Sequence, residues 1–351
     1  MTALPTGGSE GPAPSAWHAG EQALQARAGV RERMAAVGEV VVRDHMPDQH
    51  RDLFEKLPTL LLGALDAQGQ PWATMLAGPP GFVHTPHAQR MDIAAAIDPA
   101  DPADPADPVD PVMAALAAHG TGAPVGVLGL EPHTRRRNRM NGHVVRWGAQ
   151  QGLSITVAQS FGNCPKYIQA RAPGLRAAVT PPQPAQPLGP SLDAAALALI
   201  ARSDTLFIAS ASAARPGVKR GEGVDMSHRG GEPGFVQVKH TPQGLELWLP
   251  DYPGNLFFNT LGNLAQHPLA GLLWVDYDDG GLLHVAARAE LLWGEAERAP
   301  WPGAQRVLRL LVLGGVWRAQ ALPWRWTVAQ PAPQFSAMRQ ASGVQGRRPP
   351  T

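Results

Sequence analysis

Gly78-Pro-Pro-Gly-Phe82 and Gly231-Glu-Pro-Gly-Phe235 are nearly the same five-residue string at two places in one chain. Glycine and proline packed this closely punctuate a strand or helix, so each string reads as a reversal of the backbone. The surroundings repeat as well. Each string follows a helical pattern and an apolar strand opening with Thr-Leu, at Thr59-Leu-Leu-Leu-Gly-Ala-Leu65 and at Thr205-Leu-Phe-Ile-Ala209. Each precedes a further apolar strand, at residues 125–130 and 272–275, and then a longer strand of mixed polarity. Five residues can match by chance, but the same string in the same order of elements points to one unit duplicated within the chain.

Other short apolar runs, at residues 143–147, 153–157, 235–239, 245–249 and 282–293, are bounded by Gly, Pro or Asn, as the strands of a β-barrel are. Helices are expected over residues 18–45, interrupted near Gly29 and Gly38, over 48–56 ahead of Pro58, and over 192–202 behind a Ser191 cap. After residue 301 an amphipathic stretch, 304–313, leads to a terminal strand at 315–328. The expected class is mainly β with peripheral α-helices. Residues 18–179 and 191–328 are the expected domains, joined by a proline-rich linker at 180–190, with disordered ends at 1–17 and 329–351. Within the first domain, residues 98–111 repeat Asp-Pro with a period of three, which suits an extended, solvated insertion rather than a sheet.

Composition narrows the function. The chain has 351 residues, 44% hydrophobic and 17% charged, enough to bury substantial cores. A net charge of +1 gives no long-range field toward nucleic acid or an anionic membrane, so any anion must be held by a local cluster such as Arg135-Arg-Arg-Asn-Arg139. The one cysteine, Cys164, excludes an internal disulfide framework and a cysteine-rich metal site. Twelve histidines show no His-x-x-x-His helix or His-plus-carboxylate set, and no metal site is expected. No window offers the ~18 apolar residues of a membrane span, and residues 1–16 lack a signal peptide's pattern. A cytoplasmic setting is expected. Gly-x-Gly-x-x-Gly after a strand, the phosphate loop and the Gly-x-Ser-x-Gly elbow are all missing from the sequence.

Three stretches carry chemistry. In Asp225-Met-Ser-His-Arg-Gly-Gly-Glu-Pro-Gly-Phe235, Ser227 offers a hydroxyl and Arg229 a guanidinium, and Gly230 lets backbone N–H groups approach an anion. The plainer reading is a glycine-rich hairpin with a solvated arginine. Pro253-Gly-Asn-Leu-Phe-Phe-Asn-Thr-Leu-Gly-Asn-Leu-Ala265 starts a helix near Asn259, whose N-terminus would present free donors to a phosphate. Here the plainer reading is an Asn-capped structural helix. Ser160-Phe-Gly-Asn-Cys-Pro-Lys-Tyr-Ile168 adds Lys166 and a cysteine at the start of a Pro-initiated turn.

Residues 135–142, 160–168 and 225–263 together resemble the pyridoxamine 5'-phosphate oxidase-like family of FMN-binding split-barrel, or flavin-nucleotide-binding, proteins. The resemblance spans roughly residues 20–293. It implies two tandem antiparallel split β-barrels, with FMN, or alternatively FAD, in a groove between them. Ser227, Arg229, Gly230, Asn259, Thr260, Gly262, Asn263 and Lys166 then fall at cofactor-contact positions, and residues 135–166 at the groove's other wall. Asn263 departs from the family's pattern, which has a basic residue there. The implied function is that of a flavin-dependent oxidoreductase acting on a small molecule, with NAD(P)H a candidate electron donor and no catalytic residue assignable. The alternative is a non-catalytic flavin- or haem-binding module for storage or sensing. A homodimer is compatible with both; nucleic acid and membrane are not expected partners.

Overall fold

Leu60, Leu62 and Ala64 of strand β1 (Thr59–Leu65) pack into one apolar cluster, while Leu61 between them belongs to another. Neighbouring side chains of a strand face opposite ways, so a strand apolar throughout must be covered on both faces. The computed structural model describes residues 15–94, 110–148, 152–176, 184–217 and 220–341. Strand β1 is followed by β2 (Pro71–Ala77), β3 (Val83–His87), β4 (Arg90–Ile93), β5 (Pro124–Glu131), β6 (Arg136–Gly148) and β7 (Gly152–Gly162). Two short strands, β8 (Pro173–Leu175) and β9 (Gln186–Leu188), lead to β10 (Thr205–Ala211), β11 (Val224–Gly230), β12 (Gln237–Thr241), β13 (Gly244–Asp251), β14 (Leu269–Val275), β15 (Leu282–Leu292), β16 (Arg306–Arg318) and β17 (Trp324–Trp326). The helices are α1 (Ala19–Arg27), α2 (Arg31–Val41), α3 (Asp48–Lys56), α4 (Pro111–His119), α5 (Ala194–Arg202), α6 (Asn259–Gln266), α7 (Glu295–Arg298) and α8 (Pro333–Ala341).

The strand order is β2-β1-β5-β6-β7-β4-β3 in one sheet and β11-β10-β14-β15-β16-β13-β12 in the other. Counted from each sheet's own first strand, the two orders are identical. The fold is therefore mainly β, antiparallel, with helices at the periphery. Among the described residues β2 does not pair with β3, nor β11 with β12, so hydrogen bonding closes neither sheet into a barrel.

The repeated turn string does the same work twice. The Gly78 N–H bonds to the Pro58 carbonyl and the Gly231 N–H to that of Asp204. A Cβ on Gly78 or Gly231 would strike the ring of Phe82 or Phe235, the aromatic that then enters the core of its own half.

Register makes the halves comparable residue by residue. Gly63 pairs with Ala73 and Gly126 in one half, and Ala209 with Met226 and Gly271 in the other. Gly63 meets the Ala209 Cβ across the junction. Gly126 lies on the backbone of β11, where a Cβ would stand 2.7 Å from the Val224 oxygen, and Gly271 lies on β2, 2.4 Å from the Pro71 oxygen. Each half thus offers the same glycine to the same strand of the other, as a two-fold relation requires. Leu61, Met75, Leu128, Phe207, Met226 and Leu273 fill the space between the sheets.

Several local expectations change. The first helix breaks at Gly29, in the left-handed region at φ 68°, but continues through Gly38, which packs against Trp17. Asp193, not Ser191, caps α5 by accepting from the Ala196 N–H. Residues 306–318 are one long strand, with Val307, Leu308, Leu310 and Val312 buried. Residues 16 and 17 are buried rather than loose, part of the linker forms β9 against β16, and the tail contains α8, with Phe335 buried within it and Ala332 buried just before it. Asp110 and Pro111 open α4, while the rest of the Asp-Pro insertion, 98–109, lies outside the described residues, as do linker residues 180–183. Among the described residues no helix is long and apolar enough to cross a membrane.

Candidate anion-binding site

Ser227, His228 and Arg229 are on strand β11, not on a turn. Alternation sends Met226 into the core between the sheets and points Asp225, Ser227 and Arg229 the other way, toward α6 and the end of β13. From the first half, β6 brings Arg137 and Arg139 across the junction, and residues 163–167 pass over Gly230. The result is a cleft of about 110 Å³.

Its wall is strongly cationic. Arg137, Arg139, Lys166, Arg229 and Arg306 line it, and Asp251 is the only carboxylate that does so among the described residues. Asp251 is already shared: Arg229 Nη1 donates to Oδ1 at 2.6 Å and Arg306 Nε to Oδ2 at 2.9 Å. Arg137 donates from Nε to the Cys164 carbonyl at 3.0 Å, and its Nη1 lies 3.0 Å from His228 Nδ1, neither of them an anion. Arg139 donates from Nη2 to Ser227 Oγ at 2.5 Å and from Nη1 to Asn259 Oδ1 at 3.1 Å, with Asp225 no nearer than 3.9 Å. Among the described residues the buried Nε atoms of Arg139 and Arg229 and Nδ2 of Asn163 have no hydrogen-bond partner. Buried donors and charges of this kind are costly unless satisfied.

The titration of the wall reflects that imbalance. Burial, and then the neighbouring Arg139, pull Arg137 down to about 9. Burial lowers Arg139 to about 10, with Arg229 pushing the same way against the pull of Asp225. His228 is held well below its ordinary value by burial and by Arg137, so it stays neutral. Burial raises Tyr167 and Tyr252 to about 12, keeping both phenols protonated. Their rings stack at 5.3 Å between centroids on the rim. Three wall residues, Tyr167, Leu256 and Phe258, have positive φ of 67°, 66° and 64°, backbone that other contacts must hold in place.

Of the sequence-derived site residues, Arg229, Gly230, Asn259, Thr260 and Lys166 line this cleft. Ser227 lies directly beneath, between Arg139 and Thr260 Oγ1 at 2.7 Å. Gly230 has a different reason from the one read in the sequence: a Cβ there would stand 2.0 Å from the Tyr167 carbonyl oxygen, so the glycine admits the crossing segment. Gly262 faces α1, where Glu21 fills the space. Asn263 also points away from the cleft, donating to Ser210 Oγ at 3.1 Å and Asp225 Oδ2 at 3.0 Å. Asn259, besides accepting from Arg139, donates to Glu21 Oε1 at 2.5 Å. Burial, and then Asp225, push the Glu21 carboxyl well above its usual range.

The sequence reading assigned no site role to Arg306, Asp251, Tyr252 or His228, all of which line the cleft. Asp251 and Arg306 have no local signal, because only the β13–β16 ladder sets them opposite one another. The basic run was visible, but it divides: along β6 alternation puts Arg137 and Arg139 on the cleft and Arg136 on the other face, donating to the Gln49 carbonyl, while Arg135 precedes the strand in the left-handed region, at φ 57°, and donates to the Ile168 carbonyl. Beyond Tyr252 a second hollow of about 420 Å³ is walled by Trp301, Phe335 and Pro300. No protein-family model matches this chain, and no curated protein matches it either.

Proposed function

We propose that this protein binds a phosphate-bearing flavin nucleotide, FMN with FAD as the alternative, in the cleft between its two halves. On this reading the halves are tandem split barrels whose internal pairing makes the groove. The observation that carries the proposal is the wall of arginines around Asp251, with unpartnered donors on Arg139, Arg229 and Asn163. A phosphate supplies what those groups lack: two negative charges and several acceptor oxygens. The residues fit that end of the nucleotide. The enclosed volume suits a phosphate group, and the isoalloxazine ring would lie at the mouth, near the stacked Tyr167 and Tyr252. The α6 N-terminus, with Asn259 and Thr260 on the cleft, adds a positive dipole end.

A bound flavin supplies hydride or electron transfer, and the protein's part is to hold and orient it. The function proposed is flavin-dependent oxidoreduction of a small molecule, with NAD(P)H as candidate electron donor. A non-catalytic flavin carrier is the second reading, favoured by one feature: His228, Tyr167 and Tyr252 all keep a single protonation state near neutral pH.

The deciding experiment is to add FMN to purified protein and follow the flavin's visible absorbance and fluorescence. Saturable quenching is expected, lost in Arg139→Ala; absence of binding would remove the flavin reading. If FMN binds, bleaching by NAD(P)H separates the enzyme from the carrier.

A further inference from the structure

The two-fold relation generates a second, equivalent groove position, and the residues that occupy it differ in chemistry. Counting in register, Ser227 corresponds to Thr74, Arg229 to Leu76, Arg139 to His284, Arg137 to Leu282 and Asn163 to Arg318. Helix α4 corresponds to α6, since each sits between the fourth and fifth strands of its half and packs on the same two strands. At the start of α4 stands Asp110. Its carboxylate accepts from the Thr74 hydroxyl, from Arg318 Nη1 at 2.7 Å, and from the N–H groups of Val112 at 2.9 Å and Met113 at 3.3 Å. That is a hydroxyl, a cation and a helix N-terminus meeting one anion, and the anion belongs to the chain.

In the open groove the corresponding hydroxyl, Ser227, is present, and so is the corresponding helix N-terminus, α6. The cation is present in excess, but the corresponding carboxylate is missing: residue 258, which caps α6, is a phenylalanine. We infer that the chain binds one anionic ligand rather than two, that Asp110 permanently occupies the anion position of the second groove, and that the ligand's phosphate takes the equivalent place beside Ser227, Thr260 and Arg139. The charge argument is the same in both grooves, because a buried cationic site needs a counter-charge from somewhere. This rests on the cleft being an anion site, but not on the anion's belonging to a flavin.

Calorimetry on the full chain with inorganic pyrophosphate, and separately with FMN, tests it. One binding event per chain is expected for either ligand. Pyrophosphate binding once while FMN does not bind would retire the flavin reading and leave this inference standing; two events per chain would overturn it. Thr260→Asp transplants the built-in anion into the open groove, since Thr260 Oγ1 faces Ser227 as the Asp110 carboxylate faces Thr74. Pyrophosphate affinity should fall by about 100-fold, as when a buried charge partner is altered, with no loss of thermal midpoint. The neutral isostere Thr260→Asn should lose about tenfold or less. Equal losses in the two variants, or wild-type affinity in Thr260→Asp, would show that charge mimicry is not the basis.

Discussion

The two grooves share a backbone plan and differ in where their negative charge comes from. Beside α4 the charge is the Asp110 carboxylate, tied to Thr74 and Arg318 within the chain. Beside α6, among the described residues, the basic side chains outnumber the one lining carboxylate, Asp251, and three buried donors lack partners. A completed ion cluster serves stability, whereas an incomplete one strains the ligand-free protein and gives a ligand something to complete. If that is the difference, removing an arginine should have opposite effects on the two sides.

The largest effect is expected in the closed groove. Arg318→Met leaves Asp110 a buried carboxylate, 4% exposed, with its hydrogen bonds but no cation. Breaking one side of a buried pair costs about 3 kcal/mol. The urea midpoint should drop accordingly, with anion affinity in the other groove nearly unchanged. A variant as stable as wild type would mean that Asp110 does not depend on Arg318 and would break the comparison.

In the open groove removal of an arginine should stabilise instead. Among the described residues Arg137 has no carboxylate in contact, and it is depressed by burial and by Arg139. Arg137→Met removes that charge and keeps apolar volume, so the ligand-free protein should gain about 1 kcal/mol. The same variant should lose most of the stabilisation that saturating pyrophosphate or FMN gives wild type, since that gain measures binding to the native state. A ligand-free variant less stable than wild type would indicate that the bonds to Cys164 and His228 outweigh the relief of charge.

Much of this architecture was legible in the sequence, and the reasons are local. The paired Gly-x-Pro-Gly-Phe strings mark equivalent turns, and an all-apolar run such as residues 59–65 already requires burial on both faces. Ser227 and Arg229 were legible as polar groups near an anion but were assigned to a turn, because Gly230 and Gly231 read as reversal signals. In fact Gly230 makes room for the Tyr167 backbone and Gly231 for the Phe235 ring. What could not be read was any contact fixed by the junction of the halves. Arg139 reaches Ser227 across 88 positions and Arg318 reaches Asp110 across 208, and neither end carries a local mark of the other. Asn263 misled for a related reason: a buried carboxylate, Asp225, claims its amide from below the cleft.

The smallest expected effect separates the grooves through their buried histidines. Burial is the main cause that lowers both His228 and His284; Arg137 and Arg229 add to it at His228, whereas at His284 Asp110 works against it ahead of the smaller lowering by Arg318. Each unfolded histidine takes a proton near pH 6.5 while the folded one refuses it, so the unfolded state binds more protons below that pH. Stability is therefore full above pH ~6.5 and declines on acidification toward pH ~5. His228→Gln should remove about 1 kcal/mol of that decline and His284→Gln less, as read from urea midpoints at about pH 7.5 and about pH 5.5. Saturating pyrophosphate sharpens the test, because an anion beside Arg137 and Arg139 offsets the charge that keeps His228 neutral. The His228 share of the acid sensitivity should then shrink, while the His284 share, already facing Asp110, should stay as it was. Equal shrinkage of both shares would place an anion in each groove and end the distinction between them.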